Sequence, residues 1–142
     1  MEPTADIALI GLAVMGQNLI LNMNDHGYTV VAYNRTVSKV DDFLNDAAKG
    51  RKTIIGARSI EEMASLLKRP RKIMLMVKAG SAVDDFIETL LPHLEAGDLI
   101  IDGGNSHFPD SVRRTKYLES KGMLFCGSGV SGGEEARGSA PP

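Results

Sequence analysis

The chain has 142 residues, 43% of them hydrophobic, which suits one domain with a sizeable core and leaves no room for a second. Its 16 basic and 18 acidic side chains are mixed along the sequence and leave a formal net charge of −2, so neither nucleic acid nor an anionic membrane is expected as a partner. No apolar stretch is long enough to span a bilayer, and Met1-Glu-Pro-Thr4 lacks a basic start or an apolar signal core, so the expected location is cytoplasmic.

In chain order, the apolar run 7–10 enters Gly11-Leu-Ala-Val-Met-Gly16 and then a helical pattern over 14–25, which ends before Gly27. A strand, glycine turn and helix of this kind brings backbone N–H groups and the positive end of a helix dipole close to a pyrophosphate. Gly11 supplies the tight turn and Gly16 the close helix packing, while Ala13 stands where the G-x-G-x-x-G pattern has its middle glycine. Taken alone, the motif is equally a plain turn between a core strand and a helix.

The next strand, 29–33, ends roughly twenty residues after the turn, where a dinucleotide's adenosine ribose is read. An NAD site wants a carboxylate there for the ribose 2′-hydroxyl. This chain has Asn34-Arg35-Thr36, whose guanidinium fork and neutral polar groups suit a 2′-phosphate and point to NADP; a solvated arginine before a helix is the bland alternative.

A helix is predicted over 38–46 and a short strand at 53–55. Ser59 and Glu62 have capping-box spacing for a helix running to 67, which Pro70 ends. The basic run Lys68-Arg-Pro-Arg-Lys72 reads as a solvated loop. Residues 72–77, apolar on both faces, read as a fully buried central strand in which Met74 and Met76 fill the core and carry no cofactor role. A helix over 82–91, a strand over 98–101, the turn Asp102-Gly-Gly-Asn-Ser106, a helix over 110–120 and a last strand over 123–126 complete the alternation. Cys126, the single cysteine, excludes an internal disulfide and is expected to be a buried small hydrophobe; His26, His93 and His107 read as surface residues, and no metal site is expected.

Alternation of this kind is the signature of an α/β fold, a Rossmann-type doubly wound, mainly parallel sheet with helices on both faces. Four loops then meet at the carboxyl edge of the sheet: 11–16, 77–80, 102–106 and the glycine cluster 127–133.

With Gly11-Leu-Ala-Val-Met-Gly-Gln-Asn18, Asn34-Arg-Thr36, Val77-Lys-Ala-Gly80, Asp102-Gly-Gly-Asn-Ser106 and Gly129-Val-Ser-Gly-Gly-Glu-Glu135 in this order, residues 6–135 closely resemble the N-terminal domain of the 6-phosphogluconate dehydrogenase family. The resemblance implies an NADP-dependent oxidative decarboxylation of 6-phosphogluconate to ribulose 5-phosphate, in the pentose phosphate pathway. It further implies that Gly11, Ala13, Val14, Met15 and Gly16 line the dinucleotide turn and that Asn34, Arg35 and Thr36 hold the 2′-phosphate. Val77, Lys78 and Ala79 would lie toward the nicotinamide end; Asn105 would touch cofactor and substrate, and Ser131, Gly132 and Gly133 would bind the sugar acid.

The family's lysine base and glutamate acid lie downstream of the glycine cluster, as does the helical domain through which the parent enzyme forms a homodimer. Glu134 and Glu135 belong to the family motif and are not its acid or base. Residues 1–135 are therefore expected to form an NADP-binding domain, with 136–142 a divergent, disordered tail in a truncated chain that is inactive by itself. A non-catalytic NADP-binding module, acting as a sensor or interaction partner, is the alternative. An unrelated Rossmann domain for FAD or a methyl donor fits 11–16 and not Arg35 or the last two loops.

Overall fold

The apolar runs become six parallel strands, each joined to the next through a helix. In a computed structural model that describes residues 3–104 and 108–127, they follow as β1 (Ile7–Ile10), α1 (Val14–Asp25), β2 (Val30–Tyr33), α2 (Ser38–Asn45), β3 (Ile54–Gly56) and α3 (Ile60–Leu66). The second half is β4 (Lys72–Leu75), α4 (Ser81–Leu90), β5 (Leu99–Asp102), α5 (Phe108–Glu119) and β6 (Leu124–Gly127), with one turn of 3-10 helix at Leu91–His93 after α4. The spatial order is β3-β2-β1-β4-β5-β6, so the chain reverses direction across the sheet between β1 and β4. At that reversal the connections leave β1 and β4 toward opposite faces and open a crevice at the carboxyl ends of the strands.

Register sorts the side chains into rows that run across the sheet. Ala8, Ile73, Ile100 and Phe125 are in register on one face, where Met63, Leu67, Val83, Ile87, Leu90 and Leu118 from α3, α4, α5 and their flanks cover them. On the other face Leu9, Val30, Ala32 and Ile54 pack against Ile20 of α1 and Val40 and Phe43 of α2. None of the described helices is long and apolar enough to cross a membrane.

Four expectations need correction. β4 is shorter than 72–77 and is not fully buried: Lys72 is exposed and Met74 only half-buried, because the face bearing Met74 runs beyond the cover of α1 and α2. Cys126 is exposed rather than buried, because its side of β6 has no described helix over it. The basic run is exposed as expected at Lys68, Arg69, Pro70 and Lys72, with Lys68 paired to Asp6 (3.0 Å) and Arg69 to Glu95 (3.2 Å); only Arg71 departs, its side chain 11% exposed and paired with Asp98 (3.1 Å). Asp98, 2% exposed, accepts further bonds from the Arg71 and Glu95 backbone N–H groups, so the arginine is drawn in by a buried carboxylate that needs a partner. His26 is exposed as expected, and His93 is half-buried in the 3-10 turn. The capping box forms in part: Ser59 Oγ accepts from the Glu62 N–H (3.0 Å), while the Glu62 carboxylate accepts from the Arg58 N–H instead of reaching Ser59.

Candidate cofactor site

The glycine turn is wedged between β4 and α1, and its two glycines are demanded by contact. Gly11 sits at φ +114°, and a Cβ there would lie 2.1 Å from the Met76 carbonyl oxygen; a Cβ on Gly16 would lie 2.0 Å from the Gly11 carbonyl oxygen. Neither clash can be relieved by moving a flexible side chain, so only glycine lets the turn close. Ala13 occupies the N-cap of α1 in extended backbone without a side-chain cap, and the first bond of the helix runs from the Gln17 N–H to the Ala13 carbonyl (3.0 Å). The N–H groups of Val14, Met15 and Gly16 therefore precede the helical ladder, and the Val14 and Met15 side chains are exposed. A helix end of this kind carries a partial positive charge and suits an anion.

Beyond the turn lies a cleft of about 240 Å³, lined by Gly11, Leu12 and Ala13 on one side and by Asn34, Lys39, Met76 and Val77 on the other. Asn34 joins the two halves: its Oδ1 accepts from the Leu12 N–H (2.8 Å), and its Nδ2 donates to the Thr36 carbonyl (3.1 Å). Its role in the described fold is to set the distance between the glycine turn and the end of β2. Arg35 and Thr36 are exposed beside it, and the Arg35 guanidinium lies over the Phe86 ring of α4, 5.4 Å from its centroid. Stacking on a ring face restrains the guanidinium and leaves its N–H edge turned to solvent, where a phosphate can be met.

The 77–80 and 102–104 loops flank the far end of the cleft. Val77 lines it, and Lys78 and Ala79 are exposed. Gly103 packs so closely on β4 that a Cβ would sit 2.4 Å from the Met76 sulfur, and Asp102 Oδ1 accepts from the Gly104 N–H (3.0 Å). Under these loops lies Arg114 of α5, 1% exposed. Its Nε and Nη2 donate to the two Asp84 carboxylate oxygens (2.8 and 3.2 Å), and Nη2 also donates to the Gly80 carbonyl (3.1 Å). The hydrogen bonds from Arg114 hold the Asp84 carboxyl below the usual carboxylate range, and Asp84 in return raises the Arg114 pKa.

The structure thus brings together Gly11, Ala13, Val14, Met15, Gly16, Asn34, Arg35, Thr36, Val77, Lys78 and Ala79 at one edge. Asn105, Ser131, Gly132 and Gly133, with Glu134, Glu135 and the tail, lie outside the described residues. Lys39 lines the cleft without having been singled out from sequence, and Met76, read from sequence as core filling with no cofactor role, is half-buried and lines it too. Lys39 follows Arg35 by one helical turn at the start of α2, a spacing that could have marked it; Met76 gives no such signal. Another hollow, about 310 Å³, opens at the opposite, amino-terminal edge between Ile7, Met23, Tyr28 and the ion-paired loop around Pro70. It has no glycine turn and no open helix start, so the smaller cleft is the better cofactor site.

The family model described as the NAD binding domain of 6-phosphogluconate dehydrogenase matches residues 6–141. The chain belongs to this family. Among its relatives, the decarboxylating 6-phosphogluconate dehydrogenase of Cunninghamella elegans is 75% identical over 134 residues, covering 94% of this chain and 27% of the relative. The Homo sapiens enzyme of the same name is 70% identical over 131 residues, again covering 27% of the relative. The chain thus spans about a quarter of the length of these relatives. Among solved structures, Plasmodium falciparum 6-phosphogluconate dehydrogenase, determined in its apo form, with its cofactor NADP⁺ and with its substrate 6-phosphogluconate, superposes with a TM-score of 0.78 at 44% identity. That match covers 84% of this chain and 26% of the other.

Proposed function

We propose that this chain is the NADP-binding part of a 6-phosphogluconate dehydrogenase, an enzyme that oxidises and decarboxylates 6-phosphogluconate to ribulose 5-phosphate in the cytoplasm. The observation that carries the reading is the cleft at the chain reversal, where an open helix start faces Asn34 and Lys39 with the Arg35 fork alongside. These residues fit a dinucleotide phosphate: the Gly11 and Gly16 contacts hold backbone in the space a side chain would otherwise fill, and no carboxylate among the described residues lines the cleft.

In this reading the N–H groups of Val14 and Met15 bind the pyrophosphate. Arg35, Thr36 and Lys39 take the 2′-phosphate, with Asn34 fixing their distance from the turn. Val77, Lys78 and Ala79 lie along the nicotinamide half. Bound NADP⁺ supplies the hydride acceptor. Asn105, Ser131, Gly132 and Gly133 hold the sugar acid against it, and the proton transfers at the substrate hydroxyl and at the enediol fall to a lysine and a glutamate of the parent enzyme. The parent's homodimer contacts lie in its helical domain, and residues 1–135 act as the cofactor domain.

Calorimetric titration with NADP⁺ and NAD⁺ tests the reading. NADP⁺ is expected to bind more tightly, and Arg35→Ala to weaken NADP⁺ by about 10- to 100-fold, the scale of charge-assisted hydrogen bonds, while leaving NAD⁺ unchanged. Equal affinity for both nucleotides in the unsubstituted protein would overturn it.

A further inference from the structure

Arg114 is buried at the centre of the carboxyl edge, yet the proposed site does not use it. It is held by Asp84 and the Gly80 carbonyl, both at the start of α4, immediately after the 77–80 loop. Its remaining nitrogen, Nη1, lies 3.9 Å from Asp102 Oδ2, at the end of β5. Asp102 is itself 1% exposed and fixes Gly104 through Oδ1, and Nη1 has no hydrogen-bond partner among the described residues. One guanidinium therefore meets the bases of two separate loops from beneath. Its planar fork imposes an angle as well as a distance, which an ammonium on a flexible stem does not.

We infer that Arg114 is a positioning residue, whose guanidinium sets the spacing between the 77–80 loop and the 102–104 turn and thereby shapes the nicotinamide half of the cleft. The inference rests on the cofactor reading above. It touches neither the glycine turn nor the Asn34–Thr36 corner, and this separation makes it testable with two ligands. Adenosine 2′,5′-bisphosphate reaches the corner and, through its 5′-phosphate, the glycine turn, but not the nicotinamide half, whereas NADP⁺ spans the whole edge.

Both ligands are titrated calorimetrically into the 142-residue chain and its Arg114→Met, Arg114→Lys, Asp84→Asn and Arg113→Ala variants. Arg114→Met is expected to weaken NADP⁺ at least tenfold and to leave the bisphosphate within twofold. Arg114→Lys, which keeps the charge and loses the fork, should fall between Arg114→Met and the unsubstituted protein. Asp84→Asn retains the side-chain shape on a carboxylate that is 37% exposed, so it reports even where Arg114→Met does not fold; a three- to fivefold loss confined to NADP⁺ is expected. Arg113 reaches the same carboxylate from the surface (3.3 Å), and Arg113→Ala should change neither titration.

Equal loss of both ligands, or loss of neither, in Arg114→Lys and Asp84→Asn overturns the inference. If the unsubstituted protein binds the bisphosphate as tightly as NADP⁺, the nicotinamide half makes no contact and the inference fails while the corner stands. If it binds neither ligand, the cofactor reading fails and takes the inference with it.

Discussion

The two halves of the sheet are built from equally apolar strands and covered unequally. Around β1 and β2 both faces are packed: Leu9, Ile10, Val30 and Val31 are all fully buried. Around β5 and β6 the face under α5 holds Ile100 and Phe125, and the opposite face carries half-buried Leu99 and Ile101 with exposed Leu124 and Cys126. A single row in register makes the gradient plain. It runs from Leu9, fully buried, through half-buried Met74 and Ile101 to exposed Cys126. Apolar composition therefore reports what a strand can bury, and coverage depends on which helices lie over it.

The largest effect should come from the doubly covered half. Phe43 of α2, 2% exposed between α1, α2 and the sheet, should cost about 4 kcal/mol as Phe43→Ala, read as a lower urea midpoint. A loss below about 1 kcal/mol would break the contrast between the halves. Acidification comes next. Because its folded pKa is depressed, Asp84 contributes stability that is fully present above the ordinary carboxylate pKa and is lost as the pH falls through the lower folded value. Arg114 and Arg113 face it, and Asp102 and Asp110 stand behind those arginines. Since the carboxylate is 37% exposed, the loss should reach only about 1 kcal/mol; Asp84→Asn should flatten that part of the acid unfolding curve. The smallest effect belongs to the open face. Leu124→Ala, at a side chain 53% exposed, should cost about 0.5 kcal/mol, and a cost equal to that of Phe43→Ala would mean that this face is as fully packed as the other.

The same contrast decides how much was legible in the sequence. Each strand and helix falls within one or two residues of its expected place, because glycines, prolines and the period of the apolar residues are local signals. The glycine turn and the Asn34–Thr36 corner were legible for the same reason, as spacing along the chain fixes their separation in a strand–turn–helix unit. Cys126 was misread because Met123-Leu-Phe-Cys126 is apolar whichever face is covered. Arg114 gave no signal: it lies among the polar residues Asp110, Arg113, Thr115 and Lys116, and Asp84, the carboxylate that draws it inward, comes from another helix thirty residues earlier. Burial of a charge through a distant partner leaves no periodic trace.

Asn34 carries a consequence for redesign. Its oxygen is committed to the Leu12 N–H, so this residue at the end of β2 also braces the glycine turn. On the proposed reading, an aspartate at this position would keep an acceptor for Leu12 and present a negative charge to a 2′-phosphate, while its second oxygen would face the Thr36 carbonyl in place of the amide that donates to it. Coenzyme preference could therefore be exchanged at a single site while the scaffold's brace stays in place, whereas Asn34→Ala would loosen the brace and the preference together.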